Sequence, residues 1–466
     1  MSLGLSRREW IRSGLLAGGA ALAGAGCVHG SMRGPRLATF SADVTVPVGH
    51  GMMGGAWLSR RVVDPLEVHG FVLMGCGAPI VYASVDWCEI RNDAYLAWQV
   101  GLAEAAGTSP DRVLVSTIHQ HDAPVADLGA EALLRAKGLA GTVCDPAFHA
   151  EAVARVATAI SSAIPSARRV THFGTGKARV ERVASNRRYE LPDGTVRWDR
   201  TSATRNVLAI EAGEGLVDPW LRMLTFWDGT DPLLGISFYA VHPMSYYGQG
   251  DVSADFPGQA RRLFRSGVGG VPQIYASGCS GNVTAGKYND GSPGMRPVLA
   301  GRLRDAMDVA WRSTERRPIG RVEFRSEPVV LEPRGGNGFT EAELEAQLVP
   351  GVKPFQQCLA AMGLSWRKRV ATGRPIGIPC LDLGEAALVV LPGESYVEYQ
   401  LAAQALRPKD FICVAGYGDG ATGYIPTEAH WRDRDTNLGD WCWVAPGSEA
   451  RLKTAVARAL GMGGEL

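Results

Sequence analysis

Short apolar, β-branched runs alternate with amphipathic segments along almost the whole chain, and this alternation limits the possible folds more than any other feature. The runs 113–117 and 234–240 predict buried strands, whereas 94–106 and 146–164 have the pattern of helices. No internal repeat is visible, and no linker separates the sequence into two halves. We therefore expect an α/β (α+β) fold, with a mixed β-sheet core flanked by helices in a single domain. Further strands are expected at 71–74, 80–86, 207–210, 223–227, 273–276, 386–391 and 411–415, and further helices at 256–265, 298–313 and 396–406.

The charge balance bears on the kind of partner. The 466 residues include 48 Lys+Arg and 47 Asp+Glu, and the sequence has no long basic stretch. Phosphate binding needs an excess of cationic side chains on one face, so we expect no nucleic acid as a partner. The eight cysteines after Cys27 show neither C-x-x-C nor zinc-finger spacing, and we expect most of them to be buried small apolar residues.

The first 27 residues are typical of an export signal. Arg7 and Arg8 form a twin-arginine pair, and the weakly hydrophobic run 13–26 that follows is shorter than the ~20 apolar residues that span a bilayer. Such signals are read by the Tat export machinery, so we expect a periplasmic protein. Small residues precede Cys27, so we expect either a membrane-anchored lipoprotein at Cys27 or a cleaved, soluble form. The expected boundaries are 1–27 for the signal, 28–36 for a short linker and 37–466 for the main domain, in which the irregular stretch 333–380 forms an inserted lobe or lid.

Two predicted strands end in histidines. The run 113–117 is followed by His119 and His121, whose side chains share one face if the chain stays extended. The run 235–241 is followed by His242. A single H-x-H is common in proteins without a metal, whereas two strand ends that both carry histidines favour metal ligation.

A carboxylate stands in the same kind of position. Glu394 follows the apolar run 387–391 at a Pro-Gly turn that opens a predicted helix. It is either an acidic residue favoured by the helix dipole or a third metal ligand. Two histidines and one glutamate with an open fourth position match catalytic zinc sites, in which the metal lowers the pKa of a bound water to about 7.

Further polar loops at 186–188, 278–286 and 416–427 are ambiguous one by one. Together with the histidines, they make the chain resemble the catalytic domain of the neutral/alkaline, non-lysosomal ceramidase family. The order of the matching motifs is kept from about residue 38 to residue 430. The segments that carry the resemblance are Ala42 to Gly49, Asp64 to Leu66, Ser116 to Pro124, Ala240 to His242, Ser253 to Gly258, Gly281 to Thr284, Leu391 to Glu394 and Gly423 to Thr427.

The resemblance implies a hydrolase that cleaves a carbon–nitrogen bond other than a peptide bond. It implies attack of zinc-activated water on the amide carbonyl of a small or lipid-like N-acyl substrate. His121 and Arg187 match positions that hydrogen-bond the amide oxygen, and losing one such donor typically costs ~10²–10³ in rate. Thr284 stands at the position of a family serine and is expected to act in catalysis. The ligands that the resemblance implies for Zn²⁺ are His119, His242, Glu394 and Tyr424, each at or near the end of a strand.

Some residues depart from the family pattern. Thr284 is followed by Ala285 where the family has Ser-Pro. Asp122 replaces a serine, and it either changes the preferred charge of the substrate or orients a histidine. The sequence ends soon after Tyr424, so we expect no C-terminal β-sandwich like that of the ceramidases. These departures argue against ceramide as the substrate.

Two alternatives stay open at this point. The same zinc site would serve a carbohydrate N-deacetylase, an esterase or a lactonase. The other alternative is a binding protein that keeps the fold but not the chemistry, although the intact ligand set argues against it.

Overall fold

Three β-sheets form the framework of the molecule. The computed structural model describes residues 34–336 and 338–463, and this part of the chain belongs to one compact unit. The predicted export signal and Cys27 lie outside the described residues, so their roles stay predictions.

The strands are short and numerous in the described part of the chain. In chain order they are β1 (Arg36–Asp43), β2 (Gly51–Met52), β3 (Trp57–Leu58), β4 (Arg61–Val62), β5 (Glu67–Met74), β6 (Ile80–Val85), β7 (Glu89–Ile90), β8 (Val113–Thr117), β9 (Val125–Ala126), β10 (Arg168–Arg169), β11 (His172–Arg179), β12 (Ser185–Asn186), β13 (Tyr189–Glu190), β14 (Val196–Arg197), β15 (Trp220–Asp228), β16 (Asp231–Tyr239), β17 (Asp251–Val252), β18 (Gln273–Ser277), β19 (Val283–Thr284), β20 (Glu315–Pro318), β21 (Glu323–Val329), β22 (Ile376–Asp382), β23 (Ala386–Val390), β24 (Glu394–Ser395), β25 (Phe411–Ala415) and β26 (Tyr424–Ile425).

The helices begin and end at residues that suit helix termini. The side chain of Asp145 accepts a hydrogen bond from Ala147 N at the start of one helix, with proline next to it at the first helical position. Another helix ends at Gly107 in the left-handed conformation. In chain order the helices are α1 (Asn92–Ala106), α2 (Leu128–Ala136), α3 (Pro146–Ala163), α4 (Val207–Glu211), α5 (Asp255–Gly267), α6 (Met295–Arg312), α7 (Glu341–Ala346), α8 (Pro354–Ala371), α9 (Val397–Leu406), α10 (Glu428–Arg432) and α11 (Ser448–Ala459).

Each large sheet combines antiparallel strands with one parallel pair. The strand orders are β10-β1-β5-β6-β8, β18-β16-β15-β11-β20 and β21-β22-β23-β25. The parallel pairs are β6–β8, β16–β18 and β23–β25. Strand β18 contacts β6 and β8, and β23 contacts β8, so the parallel strands of the three sheets are neighbours. Their carboxyl ends therefore meet in one place, which is where α/β proteins commonly bind ligands.

An inner apolar core lies between the three sheets, and helices cover their outer faces. Along β6 the side chains alternate, as the period of a strand requires. Ile80 and Tyr82 belong to the inner core, whereas Val81 and Ala83 belong to the outer core under the helices. Helix α3 packs on β1, and α6 packs on β11 and β15. The predicted mixed α/β fold is confirmed.

One predicted strand is wrong. The apolar run 207–210 forms the short helix α4. The side chain of Asn206 caps the helix by accepting from Leu208 N at 3.1 Å, and Lys287 Nζ donates to the Ile210 carbonyl at the other end. These local hydrogen bonds override the β propensity of the run. The side chain of Leu208 is half exposed.

The stretch 333–380, for which the sequence predicts a lobe or lid, contains regular structure. It holds α7, α8 and β22, and α8 packs on α2 with most of its side chains buried. The eight described cysteines are free thiols, and all but Cys76 are buried. In the described residues, we find no helix of the length and apolarity needed to cross a membrane.

Candidate metal centre

Three predicted ligands meet where the parallel strands end. His119 lies just after β8, His242 lies just after β16, and Glu394 begins β24 shortly after β23. His119 Nε2 lies 2.9 Å from His242 Nε2, and Glu394 Oε2 lies 3.3 Å from each of these nitrogens. All three side chains are buried. We call this group, His119, His242 and Glu394, the metal centre.

The second nitrogen of each ring indicates the tautomer. His119 Nδ1 lies 2.9 Å from the carbonyl oxygen of Cys88, and His242 Nδ1 lies 2.9 Å from that of Ser280. A carbonyl oxygen only accepts hydrogen bonds, so we assign the proton of each neutral ring to Nδ1. Burial, with His119 and Arg187 close by, holds the pKa of His242 well below its ordinary value. Burial lowers the pKa of His119, but Cys88 and Glu394 outweigh it and hold that pKa well above its ordinary value. When both rings are neutral, each Nε2 presents a lone pair to the other ring and to Glu394.

This donor set fits a divalent cation. Glu394 Oε2 is buried and makes no hydrogen bond to any residue that the structure describes, which is costly for a carboxylate oxygen unless a cation satisfies it. Donor atoms ~2.1 Å from a tetrahedral zinc lie about 3.4 Å from each other, close to the 3.3 Å between Glu394 Oε2 and both nitrogens. Imidazole nitrogen and carboxylate oxygen are the donors that catalytic zinc prefers. The three residues are suited to bind such an ion.

The fourth predicted ligand, Tyr424, lies beside the metal centre. It is the register partner of Glu394 in the parallel β24–β26 pair. Its hydroxyl accepts a hydrogen bond from Arg187 Nη1 at 2.8 Å. Burial raises the pKa of Tyr424, while the Arg187 cation opposes that shift. Arg187 is itself buried, and its Nε has no hydrogen-bond partner in the described part of the chain.

His121 lies on the solvent side of the same group. Its ring centroid is 5.5 Å from that of His119 and 5.4 Å from that of His242. Unlike the metal centre, His121 is partly exposed, although its Nδ1 is buried without a hydrogen-bond partner. Burial, followed by the effect of the neighbouring His119 and Arg187, lowers the pKa of His121 well below its ordinary value. A neutral imidazole therefore borders the metal centre on its accessible side.

The sequence argument for a shared face was incomplete, because the chain is not extended at His119. Its φ is +65°, in the left-handed region that non-glycine residues rarely adopt. Tyr417, which the sequence did not single out, also has a positive φ of 56°. The Tyr417 ring stacks on His119 at 4.1 Å, and its hydroxyl lies 3.2 Å from His242 Nδ1. Its only sequence signal was its place in the ambiguous loop 416–427.

A second missed group is a buried arginine behind the metal centre. Arg91 Nη1 donates to Glu89 Oε2 at 2.7 Å and to the Gly420 carbonyl at 2.9 Å. Arg91 Nη2 donates to the Ala421 carbonyl at 2.9 Å. Burial raises the pKa of Glu89 to about 7. Arg91 thus fixes the loop that precedes Tyr424.

The Thr284 hydroxyl has two hydrogen-bond partners, one in a separate loop and one in its own loop. It donates to the Thr201 carbonyl at 2.6 Å and accepts from Gly286 N at 3.1 Å. Among the described residues, it makes no hydrogen bond to the metal centre. The predicted catalytic role of Thr284 therefore stays a prediction.

Within residues 34–336 and 338–463, Asp122 makes no hydrogen bond to a histidine. Its carboxylate accepts from Arg296 Nη2 at 3.3 Å and from Gly248 N at 3.1 Å. Burial raises the pKa of Asp122 to about 7. Arg296 also lies over the ring of Tyr246, 3.8 Å from its centroid. Of the two roles that the sequence left open for Asp122, the one as a partner of a histidine is wrong.

Comparisons with known proteins agree with this architecture. Neither a protein-family model nor a curated protein matches the chain. The structure is similar to the crystal structure of neutral ceramidase from Pseudomonas aeruginosa, with a TM-score of 0.68 and 18% identity over 93% of this chain and 76% of that one. It is also similar to a ceramidase complexed with C2, with a TM-score of 0.65 and 18% identity over 92% and 76% of the two chains. The chain thus has the fold of the neutral ceramidases, and the predicted resemblance is confirmed at the level of the fold.

Proposed function

We propose that the protein is a zinc-dependent hydrolase that cleaves the amide bond of an N-acyl substrate. One observation carries the proposal: two imidazole Nε2 atoms and an unpartnered carboxylate oxygen face one another inside the fold of a ceramidase. Zinc bound there supplies Lewis acidity and a water whose pKa is lowered to about 7.

His121 and Arg187 receive the charge that develops on the carbonyl oxygen. Both have a buried nitrogen whose hydrogen-bonding capacity the described residues leave unused. Arg187 is cationic, and the neutral ring of His121 donates from one nitrogen. Donors that are fixed before the reaction stabilise an oxyanion without reorganising.

Tyr424 helps to hold Arg187 in place. Its hydroxyl accepts from Arg187 Nη1, and the Arg187 amide donates to the Asn282 carbonyl at 2.8 Å. These two hydrogen bonds therefore hold both the side chain and the backbone of Arg187 in place. Hydrolysis joins the water oxygen to the carbonyl carbon and breaks the carbon–nitrogen bond, and the leaving amine takes up a proton.

The proposed substrate is small or lipid-like. His121 borders the metal centre and is partly exposed, so substrate reaches the buried metal centre from the side of His121. The ring of Tyr247 lies 4.8 Å from that of His121 and offers an apolar contact there. We also propose Tat-dependent export, with the protein free in the periplasm or anchored through Cys27.

A substrate panel tests the proposal. The zinc-loaded protein is assayed with N-acyl lipids, N-acetyl sugars, simple esters and lactones, each with and without a chelator. We expect chelator-sensitive release of a fatty acid from an N-acyl lipid. Turnover of sugars, esters or lactones alone would favour the corresponding alternative, and no turnover by a zinc-loaded protein would favour a binding protein.

A further inference from the structure

An exposed surface formed by Val48, Leu58, Arg60, Val62 and Val63 has no role in the chemistry described above. We propose that this surface, called the 48–63 surface, docks on an anionic lipid bilayer. The proposal goes beyond the proposed function, because it holds whichever bond the metal centre cleaves.

The exposure of its apolar side chains is the first argument. Val48 is 67% exposed, Leu58 49%, Val62 48% and Val63 45%. Single exposed apolar residues are common on soluble proteins, whereas clusters of them mark interfaces. Here four of them fall within 16 residues of sequence.

The backbone holds these side chains in a fixed arrangement. Gly49 N donates to the Ser59 carbonyl at 2.8 Å, which keeps Val48 next to Leu58. Strand β4, which contains Val62, pairs with β17. Arg60 N donates to the Gly250 carbonyl at 2.7 Å. An arrangement fixed in advance loses little conformational entropy on docking.

The charge of the surface selects the kind of bilayer. Arg60 and Arg61 are exposed beside the apolar side chains. Arg61 pairs with Asp251 at 2.6 Å, whereas Arg60 makes no ion pair in the part of the chain that the structure describes. One uncompensated cation thus lies among apolar groups. Apolar side chains with neighbouring arginines bind anionic lipid interfaces, where each basic residue adds to the affinity.

The surface is continuous with the approach to the metal centre. A cavity of about 480 Å³ is lined by Val48, Leu58 and Trp57. The Trp57 ring stacks on Tyr247 with 5.9 Å between centroids, and Tyr247 contacts His121. A protein docked through the 48–63 surface would therefore bring the accessible side of the metal centre close to the lipid.

Vesicle binding tests the proposal. The full chain is sedimented with vesicles of phosphatidylcholine alone or mixed with phosphatidylglycerol. We expect the wild type to bind the mixed vesicles, with an affinity that falls as salt is added. The double variant Val62→Asp/Val63→Asp should bind them about fivefold more weakly or worse. Val309→Asp on α6, which changes an apolar residue that is 56% exposed elsewhere, is the matched control and should bind like the wild type.

Hydrogen exchange locates the contact. Because all variants share residues 1–33, differences between them report on the changed side chains. We expect mixed vesicles to protect the amides of residues 47–63 from exchange. Equal binding of the double variant and the wild type, no binding by either, or unchanged exchange at 47–63 would overturn the proposal.

A soluble substrate separates this proposal from the proposed function. We expect Val62→Asp/Val63→Asp to hydrolyse a short-chain, soluble N-acyl amide at the wild-type rate while losing vesicle binding. If the protein binds vesicles through residues 47–63 but hydrolyses no amide, the docking proposal stands and the proposed chemistry is rejected.

Discussion

His119 Nε2 and His242 Nε2 lie 2.9 Å apart, although the two residues follow strands of different sheets. Each ring is held by a backbone carbonyl at its Nδ1. Two lone pairs at this distance repel each other unless a proton or a metal ion lies between them. A metal ion held at the metal centre would join the two sheets, so bound metal should contribute to the stability of the fold.

The first prediction concerns metal removal. A chelator should lower the Tm of the wild type, and added zinc should restore it, because the ion binds the folded chain better than the unfolded chain. His242→Ala should show a Tm that does not respond to zinc. Differential scanning calorimetry measures both. A wild-type Tm that is the same with and without chelator would contradict this prediction.

The second prediction concerns Arg187. Arg187→Met keeps most of the side-chain length but removes the donors, and kcat should fall ~10²–10³ while the zinc content stays unchanged. Arg188→Met, next in the chain, is the control and should keep kcat within a few-fold. Steady-state kinetics on the best substrate of the panel checks this. An Arg187→Met variant with wild-type kcat would remove Arg187 from the reaction.

The third prediction concerns Thr284. Its hydroxyl donates to the Thr201 carbonyl in a separate loop and accepts from Gly286 N in its own loop. Thr284→Val should therefore lower the free energy of unfolding by about 1–3 kcal/mol. Because both hydrogen bonds are internal, kcat should stay within a few-fold. Urea unfolding and kinetics on one preparation separate the two effects. A large loss of kcat in a variant as stable as the wild type would instead support the catalytic role that the resemblance implies.

The fourth prediction concerns the pH dependence of stability. Burial raises the pKa of Asp122 to about 7, whereas an aspartate in the unfolded chain has a pKa of about 3.9. Between these values the folded state binds more protons than the unfolded state. Stability should therefore fall as pH rises through this window, by at most ~1.4 kcal/mol per pH unit from this group.

Asp122→Asn should reduce that fall. Urea unfolding at pH 5 and at pH 7 gives the difference in free energy for the variant and the wild type. Asp111→Asn, on the surface, is the control and should leave the difference unchanged. An equal pH difference in Asp122→Asn and the wild type would show that Asp122 is not the responsible group.

Much of the fold and of the metal centre was predictable because it depends on local patterns. Runs such as 113–117 are apolar and β-branched, and a histidine or glutamate at their ends is visible in the sequence. Contacts across long separations were not predictable. Arg296 lies 174 positions from Asp122, so no local sequence pattern indicates that these two residues form an ion pair. Tyr417 stacks on His119, and both residues adopt a left-handed backbone that the sequence pattern does not predict.

Metal content tests the central claim most directly. Elemental analysis of protein purified without chelator should find about one zinc per chain in the wild type and in His121→Ala, and almost none in His119→Ala. The two histidines are close together, but His119 Nε2 faces His242 and Glu394, whereas His121 borders the group. A wild type without metal, or equal metal loss in both variants, would contradict the account.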